Sequence, residues 1–180
     1  MKVFDALRRM FSTDIKLSTS TQSAVAVEHA FLGVLTPDKN VPSVLVGRTA
    51  YENRLVDIRL SEDGASMHEA LALSELAVRT LKNIDIRARL LLADDSLDGY
   101  NSGWRFGEAL LEDGSTQAFE KPMLSREEFC AKVQLETFEI CGSSTITLWY
   151  SDDDMFWGHD LFVTSFDGLN LMDTHVSMAG

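Results

Sequence analysis

The sequence predicts an α+β fold in which an N-terminal β-meander, a central helical hairpin and a C-terminal four-strand meander build antiparallel sheet. Three observations predict it. Apolar and polar residues alternate early and late in the chain, helical spacing occupies the middle, and turn residues separate the extended runs. Strands, then helices, then strands again fit α+β better than a doubly wound sheet.

Residues 1–11 carry apolar side chains at helical spacing with Arg8 and Arg9 interleaved, and they lack the continuous apolar run of a signal peptide. A Ser/Thr-rich stretch follows. Residues 1–22 therefore read as an N-terminal helix and linker, and residues 23–180 as a single domain. From Ala24 the pattern has period two, with Val25, Val27, His29 and Phe31 on one face of an expected strand. Thr36-Pro37-Asp38-Lys39-Asn40 supplies turn chemistry, and residues 43–48 and 55–60 complete the first meander.

Ser66 and Glu69 form a capping box ahead of Ala70, Leu73, Leu76, Ala77 and Leu81, an amphipathic helix. Asn83 marks an expected break, after which helical spacing continues to about Leu97. Asp113-Gly114-Ser115 reads as a loop, and Ser125 with Glu128 repeats the capping box before a short helix. Residues 138–141, 145–150, 156–166 and 171–178 are the four strands of the second meander, joined at Gly142-Ser143, Asp152-Asp153-Asp154 and Asp167-Gly168.

Length and composition narrow the function classes. At 180 residues one core is enough, and 45% hydrophobic with 24% charged residues is ordinary globular composition. The formal net charge of -12 repels phosphate backbones and anionic lipid, so neither nucleic acid nor membrane is an expected partner. A basic protein surface would be attracted instead. No apolar run reaches the length of a membrane span, and the two cysteines, Cys130 and Cys141, form neither a disulfide framework nor a zinc ligand set. A reducing cytoplasm is the expected address.

The chain carries Ser125-Arg126-Glu127-Glu128-Phe129, then Leu148-Trp149-Tyr150-Ser151-Asp152-Asp153-Asp154-Met155-Phe156-Trp157-Gly158-His159, and closes on Met178-Ala179-Gly180. Upstream stand Phe31-Leu32-Gly33-Val34-Leu35-Thr36-Pro37-Asp38 and Tyr100-Asn101-Ser102-Gly103-Trp104. These motifs resemble the bacterial family known as domain of unknown function 2262, from about Phe31 to the end. The resemblance confers no activity. It implies a cytoplasmic accessory protein, or an immunity protein that neutralises a secreted toxin. One departure stands out, since Asp153 occupies the family's usual glycine position in the acidic turn.

Among the residues themselves, Asp152, Asp153, Asp154, His159 and Asp160 form the densest polar constellation. Oxygen-rich ligand sets suit hard cations, so a metal-dependent hydrolase using Asp152, Asp154 and His159 is one reading. Alternation along a strand begun near Phe156 opposes it, because His159 and Asp160 would then face opposite sides. Turn chemistry for the aspartates, a half-buried hydrogen-bonded imidazole for His159 and a core position for Trp157 are the expectations that follow.

Asp94, Asp95 and Asp98 imitate the start of a calcium loop, but Arg105 stands where the closing glutamate belongs, so they read as a helix end and turn. No metal or other cofactor is expected. No nucleophile elbow or glycine-rich phosphate loop is present in the sequence. The function expected is thus a protein-binding module rather than an enzyme. Its contact residues are drawn from Asp94, Asp95, Asp98, Tyr100, Trp104, Asp152, Asp153, Asp154, Trp157 and His159. A structural homodimer paired through the edge strand at 171–178 is the remaining alternative.

Overall fold

The computed structural model describes residues 25–180, so the expected N-terminal helix and linker lie outside the described residues. The first meander comprises β1 (Val27–His29), β2 (Gly33–Pro37), β3 (Leu45–Tyr51) and β4 (Arg54–Ser61). The single strand expected from Ala24 is instead split. The His29 ring accepts from the Phe31 and Leu32 N–H groups, Gly33 takes a φ of 76°, and β2 folds back on β1 with Val27 opposite Leu35.

The capping box at Ser66 and Glu69 forms as its sequence requires and opens α1 (Met67–Arg79). The break falls at Thr80 rather than Asn83. Thr80 leaves helical geometry at φ -111° and ψ 11° and its hydroxyl donates to the Leu76 carbonyl, after which α2 (Leu81–Gly99) begins. The helix runs to Gly99, close to the expected end near Leu97. Asp94, Asp95 and Asp98 lie on its last turns, and the chain continues as a π-helical turn over Tyr100–Trp104.

β5 (Phe106–Leu110) and β6 (Thr116–Glu120) then form a separate two-stranded hairpin around the 113–115 loop. After the second capping box comes α3 (Arg126–Lys132), and the second meander runs through β7 (Gln134–Cys141), β8 (Thr145–Ser151), β9 (Asp160–Ser165) and β10 (Thr174–Ala179). The eight long-sheet strands lie in the order β1-β2-β3-β4-β7-β8-β9-β10. Both meanders are antiparallel, and one parallel pairing joins them, with Ile58 opposite Phe138 and Leu60 opposite Ile140.

The core lies between this sheet and the helices. Val56, Ile58, Leu60, Phe138, Ile140, Leu148 and Val163 point to the helical side, where Ala77, Ile84, Ala88, Leu92 and Phe129 meet them. Alternation sends Arg48, Asp57, Arg59, Thr137, Trp149 and Phe162 to the other face, which no described helix covers. Among the described residues no helix is long and apolar enough to cross a membrane.

Candidate functional site

Tyr100, Asn101 and Trp104 sit on the π-helical turn, a distortion that re-aims side chains at a helix end. Their partners show what the turn holds. The Asn101 amide donates to the Leu124 carbonyl and accepts from the Leu124 N–H, each at 2.9 Å, while the Tyr100 hydroxyl donates to the Pro122 carbonyl at 3.2 Å. Arg105 donates to the Asn101 and Lys121 carbonyls and to the Glu120 carboxylate, and its guanidinium lies 4.1 Å from the centre of the Phe106 ring. The base of the β5–β6 hairpin is thereby clamped to the body from both strands.

A second clamp comes from the loop between β8 and β9. Trp104 meets Phe156, Trp157 and His159 edge to face, with ring centres 5.6, 6.1 and 5.5 Å apart, and Trp157 reaches Phe119 on β6 at 6.4 Å. Gly107 makes the closure feasible. A Cβ there would lie 2.6 Å from the Phe119 ring and 2.7 Å from Trp157, so only glycine lets the two rings close over β5. Trp157 is 49% exposed and has a φ of 60°, which corrects the expectation of a core position. Residues 156–159 precede β9, which begins only at Asp160, so the strand expected from residue 156, and with it the alternation expected to separate His159 from Asp160, does not arise.

The acidic turn divides into one buried and two exposed residues. Asp152 is only 5% exposed, and its carboxylate accepts from the Asp154 and Phe156 N–H groups, the turn chemistry expected of it, so that it caps the loop from within. Asp153 and Asp154 stay outside. Their φ values of 51° and 60° are left-handed, a region that aspartate tolerates better than most side chains. Asp153 pairs with Lys132 at 2.6 Å, and Asp154 with Lys121 at 3.0 Å. His159 is half-buried, and its Nδ1 lies 2.6 Å from the Phe156 carbonyl, the local hydrogen bond expected of it.

Asp152, Asp154 and His159 are thus each committed to a separate partner. Among the described residues no group of three His, Cys, Asp or Glu side chains is placed to hold a metal ion. Asp94 pairs with Arg126 of α3 at 2.7 Å, and Asp95 accepts from the Ser96 hydroxyl. The aspartates of α2 and those of the acidic turn therefore flank α3 from two sides without sharing a site.

What this arrangement exposes is the hairpin itself. Phe106, Leu110, Leu111, Phe119, Met123 and Trp157 are all exposed, Leu110 at 76%. Glu108, Glu112, Asp113 and Glu120 are interspersed with them, and residues 106–120 contain no lysine or arginine. The Ser115 hydroxyl and N–H hold the Asp113 carboxyl below its ordinary range, so the tip is anionic at neutral pH. Sequence reasoning missed these residues, for which the 113–115 loop was the one available signal.

It also missed a buried polar network. Asp85 on α2, 2% exposed, accepts from the Tyr51 hydroxyl at 2.8 Å, the Tyr150 hydroxyl at 2.9 Å and the Arg89 guanidinium at 2.9 and 3.0 Å. Burial opposes the Arg89 charge, yet hydrogen bonds and attraction from Asp85 outweigh it and hold the guanidinium above its ordinary pKa. Arg89 also donates to the Cys130 and Val133 carbonyls, tying α2 to α3. A groove of about 610 Å³ lies elsewhere, on the uncovered sheet face, where Arg48 pairs with Asp57 and Arg59 with Asp38.

Fold and site together define a small α+β protein that presents a clamped, exposed hairpin. The chain belongs to the family described as uncharacterised protein conserved in bacteria, domain of unknown function 2262, whose model matches residues 29–175. No curated protein and no solved structure matches the chain.

Proposed function

We propose that the chain is a cytoplasmic protein-binding module, of the immunity or accessory kind, that captures its partner through the β5–β6 hairpin. The observation that carries this reading is the pairing of Leu110, Leu111 and Phe106 with an acidic rim of Glu108, Glu112 and Asp113, which form no salt bridge among the described residues, on an element that adds nothing to the main core. Exposed apolar patches edged by charge mark interaction surfaces. The matching partner is another protein with an apolar cleft and a basic edge, drawn in by opposite fields. Asp153, Asp154 and Asp94 contribute less than the sequence suggested, since lysine and arginine side chains of the same chain already pair with them.

Co-purification with the products of adjacent genes, followed by association kinetics, tests the reading. Wild-type chain should capture one such product stoichiometrically, with an association rate that falls from about 50 to 500 mM salt. The Leu110→Asp/Leu111→Asp double variant should stay folded and bind at least about tenfold more weakly, as loss of a hydrophobic anchor implies. Capture that ignores both the double variant and salt would refute the hairpin as the contact.

A further inference from the structure

We propose that the chain forms a two-fold homodimer in which β10 pairs, antiparallel, with β10 of a second copy across the free edge of the long sheet. β10 ends the strand order and is hydrogen-bonded on one side alone, to β9. The Phe166 N–H donates to the Asp173 carbonyl at 2.9 Å, and the register carries that pairing on through His175 opposite Thr164, Ser177 opposite Phe162 and Ala179 opposite Asp160. Main-chain groups alternate in direction along a strand, so those of Thr174, Val176 and Met178 turn outward. Among the described residues none of these three has a hydrogen-bond partner for its N–H or carbonyl.

Sheets protect such edges with charge, proline, bulges or brevity. β10 has none of these. It runs for six residues, Thr174-His175-Val176-Ser177-Met178-Ala179, without Asp, Glu, Lys, Arg or Pro, and its register with β9 is unbroken. β1, at the other edge, is three residues long and carries Glu28. Addition of β10 to β1 of another copy would grow without limit, and the short charged strand opposes it, whereas β10 against β10 closes after two copies.

The side chains select a second copy as the occupant. The register that engages all three outward residues places the two-fold axis at Val176, with Thr174 of each copy opposite Met178 of the other. Val176 and Met178 lie on the helical face, opposite Val163 and Leu161 of β9, and are only partly buried there. Self-pairing sets Val176 against Val176 and closes this open end of the core with a matching apolar pattern, which a foreign strand would have to reproduce. On the other face His175 of each copy meets Ser177 of the other. No carboxylate faces a carboxylate, since Asp173 falls opposite Ala179. The net charge of -12 on each copy still repels at long range, so added salt favours the dimer.

Sedimentation of the full chain from about 20 μM to 1 mM, with amide exchange followed by NMR at both ends of that range, is the test. The dissociation constant should lie at about 10–100 μM, as suits an interface at the small end of the size range. Between the two concentrations the Thr174, Val176 and Met178 amides should exchange at least about threefold more slowly, while those of His175, Ser177 and Ala179, already paired with β9, stay unchanged. Val176→Pro removes an outward donor and spares the β9 ladder, and Ser177→Lys keeps every main-chain donor but sets like charges across the axis. Each should weaken the dimer at least about tenfold, and Ser177→Lys serves alone if Val176→Pro does not fold. The Leu110→Asp/Leu111→Asp variant should dimerise as the wild type does, and salt from about 50 to 500 mM should tighten the dimer, opposite to its effect on capture by the hairpin. A chain monomeric at about 1 mM, a dimer that leaves the three outward amides exchanging as before, or one undiminished by Ser177→Lys would each overturn the proposal.

Discussion

Asp85 shows what a sequence reading overlooks at the residue scale. On α2 it stands four positions before Arg89, the spacing of an ordinary surface ion pair, and nothing local reveals that both face inward. Only the fold brings Tyr51 from β3 and Tyr150 from β8 to the same carboxylate. Burial, and then the Asp85 charge and hydrogen bond, push the Tyr150 hydroxyl well above its ordinary pKa, and Tyr51 shifts the same way. Because the folded values lie above the unfolded value of about 10, the stability they contribute is complete below about pH 10 and is lost as pH rises toward the folded values. Urea unfolding from pH 8 to about 11 should therefore show declining stability. Tyr150→Phe should be about 1–3 kcal/mol weaker at pH 8, from the hydrogen bond lost to Asp85, yet decline less steeply. Equal slopes for the two proteins would remove Tyr150 from the account.

At the scale of elements, legibility followed burial. Both capping boxes were readable because Ser66 with Glu69, and Ser125 with Glu128, are local chemistry that the fold leaves intact. The β5–β6 hairpin was not, because a strand pair exposed on both faces has no reason to alternate apolar and polar residues. Its stability comes from elsewhere, through Asn101, Arg105, Trp104 and Trp157, so the sequence points to the motif Tyr100 to Trp104 but not to the hairpin that it holds. Trp157→Ala is expected to cost about 1–2 kcal/mol, less than a fully buried aromatic, since about half the ring is exposed and a left-handed backbone strain is shared by the wild type. The sharper signature is local. Amide exchange across residues 106–120 should accelerate at least about tenfold while the core strands are unaffected, as expected when one subglobal unit loosens. A loss above about 3 kcal/mol would return Trp157 to the core, and unchanged exchange would deny it the clamping role.

For the whole molecule, the sequence predicted two meanders and a helical middle but not how they join. Parallel pairing has no local signature, because β4 and β7 are separated in the chain by both long helices and the hairpin, and either strand reads equally well as an edge. The pairing turns two antiparallel halves into one sheet. Val56, Ile58 and Leu60 of β4 and Phe138 and Ile140 of β7 are all fully buried in a single cluster that also takes in α1, α2 and α3. Neither half can open without exposing the other half's core, so unfolding should be one cooperative event. Urea transitions followed by tryptophan fluorescence, which reports Trp104, Trp149 and Trp157, and by far-ultraviolet circular dichroism should coincide. Phe138→Ala, at the seam opposite Ile58, should lower stability by about 3–5 kcal/mol and move both transitions together. If the halves were separate units, the fluorescence transition would shift while a second transition for β1 to β4 stayed in place, and that outcome would refute the single core. Cooperativity of this kind also gives the projecting hairpin its footing: an element that contributes little to the core can engage a partner without endangering the sheet that carries it.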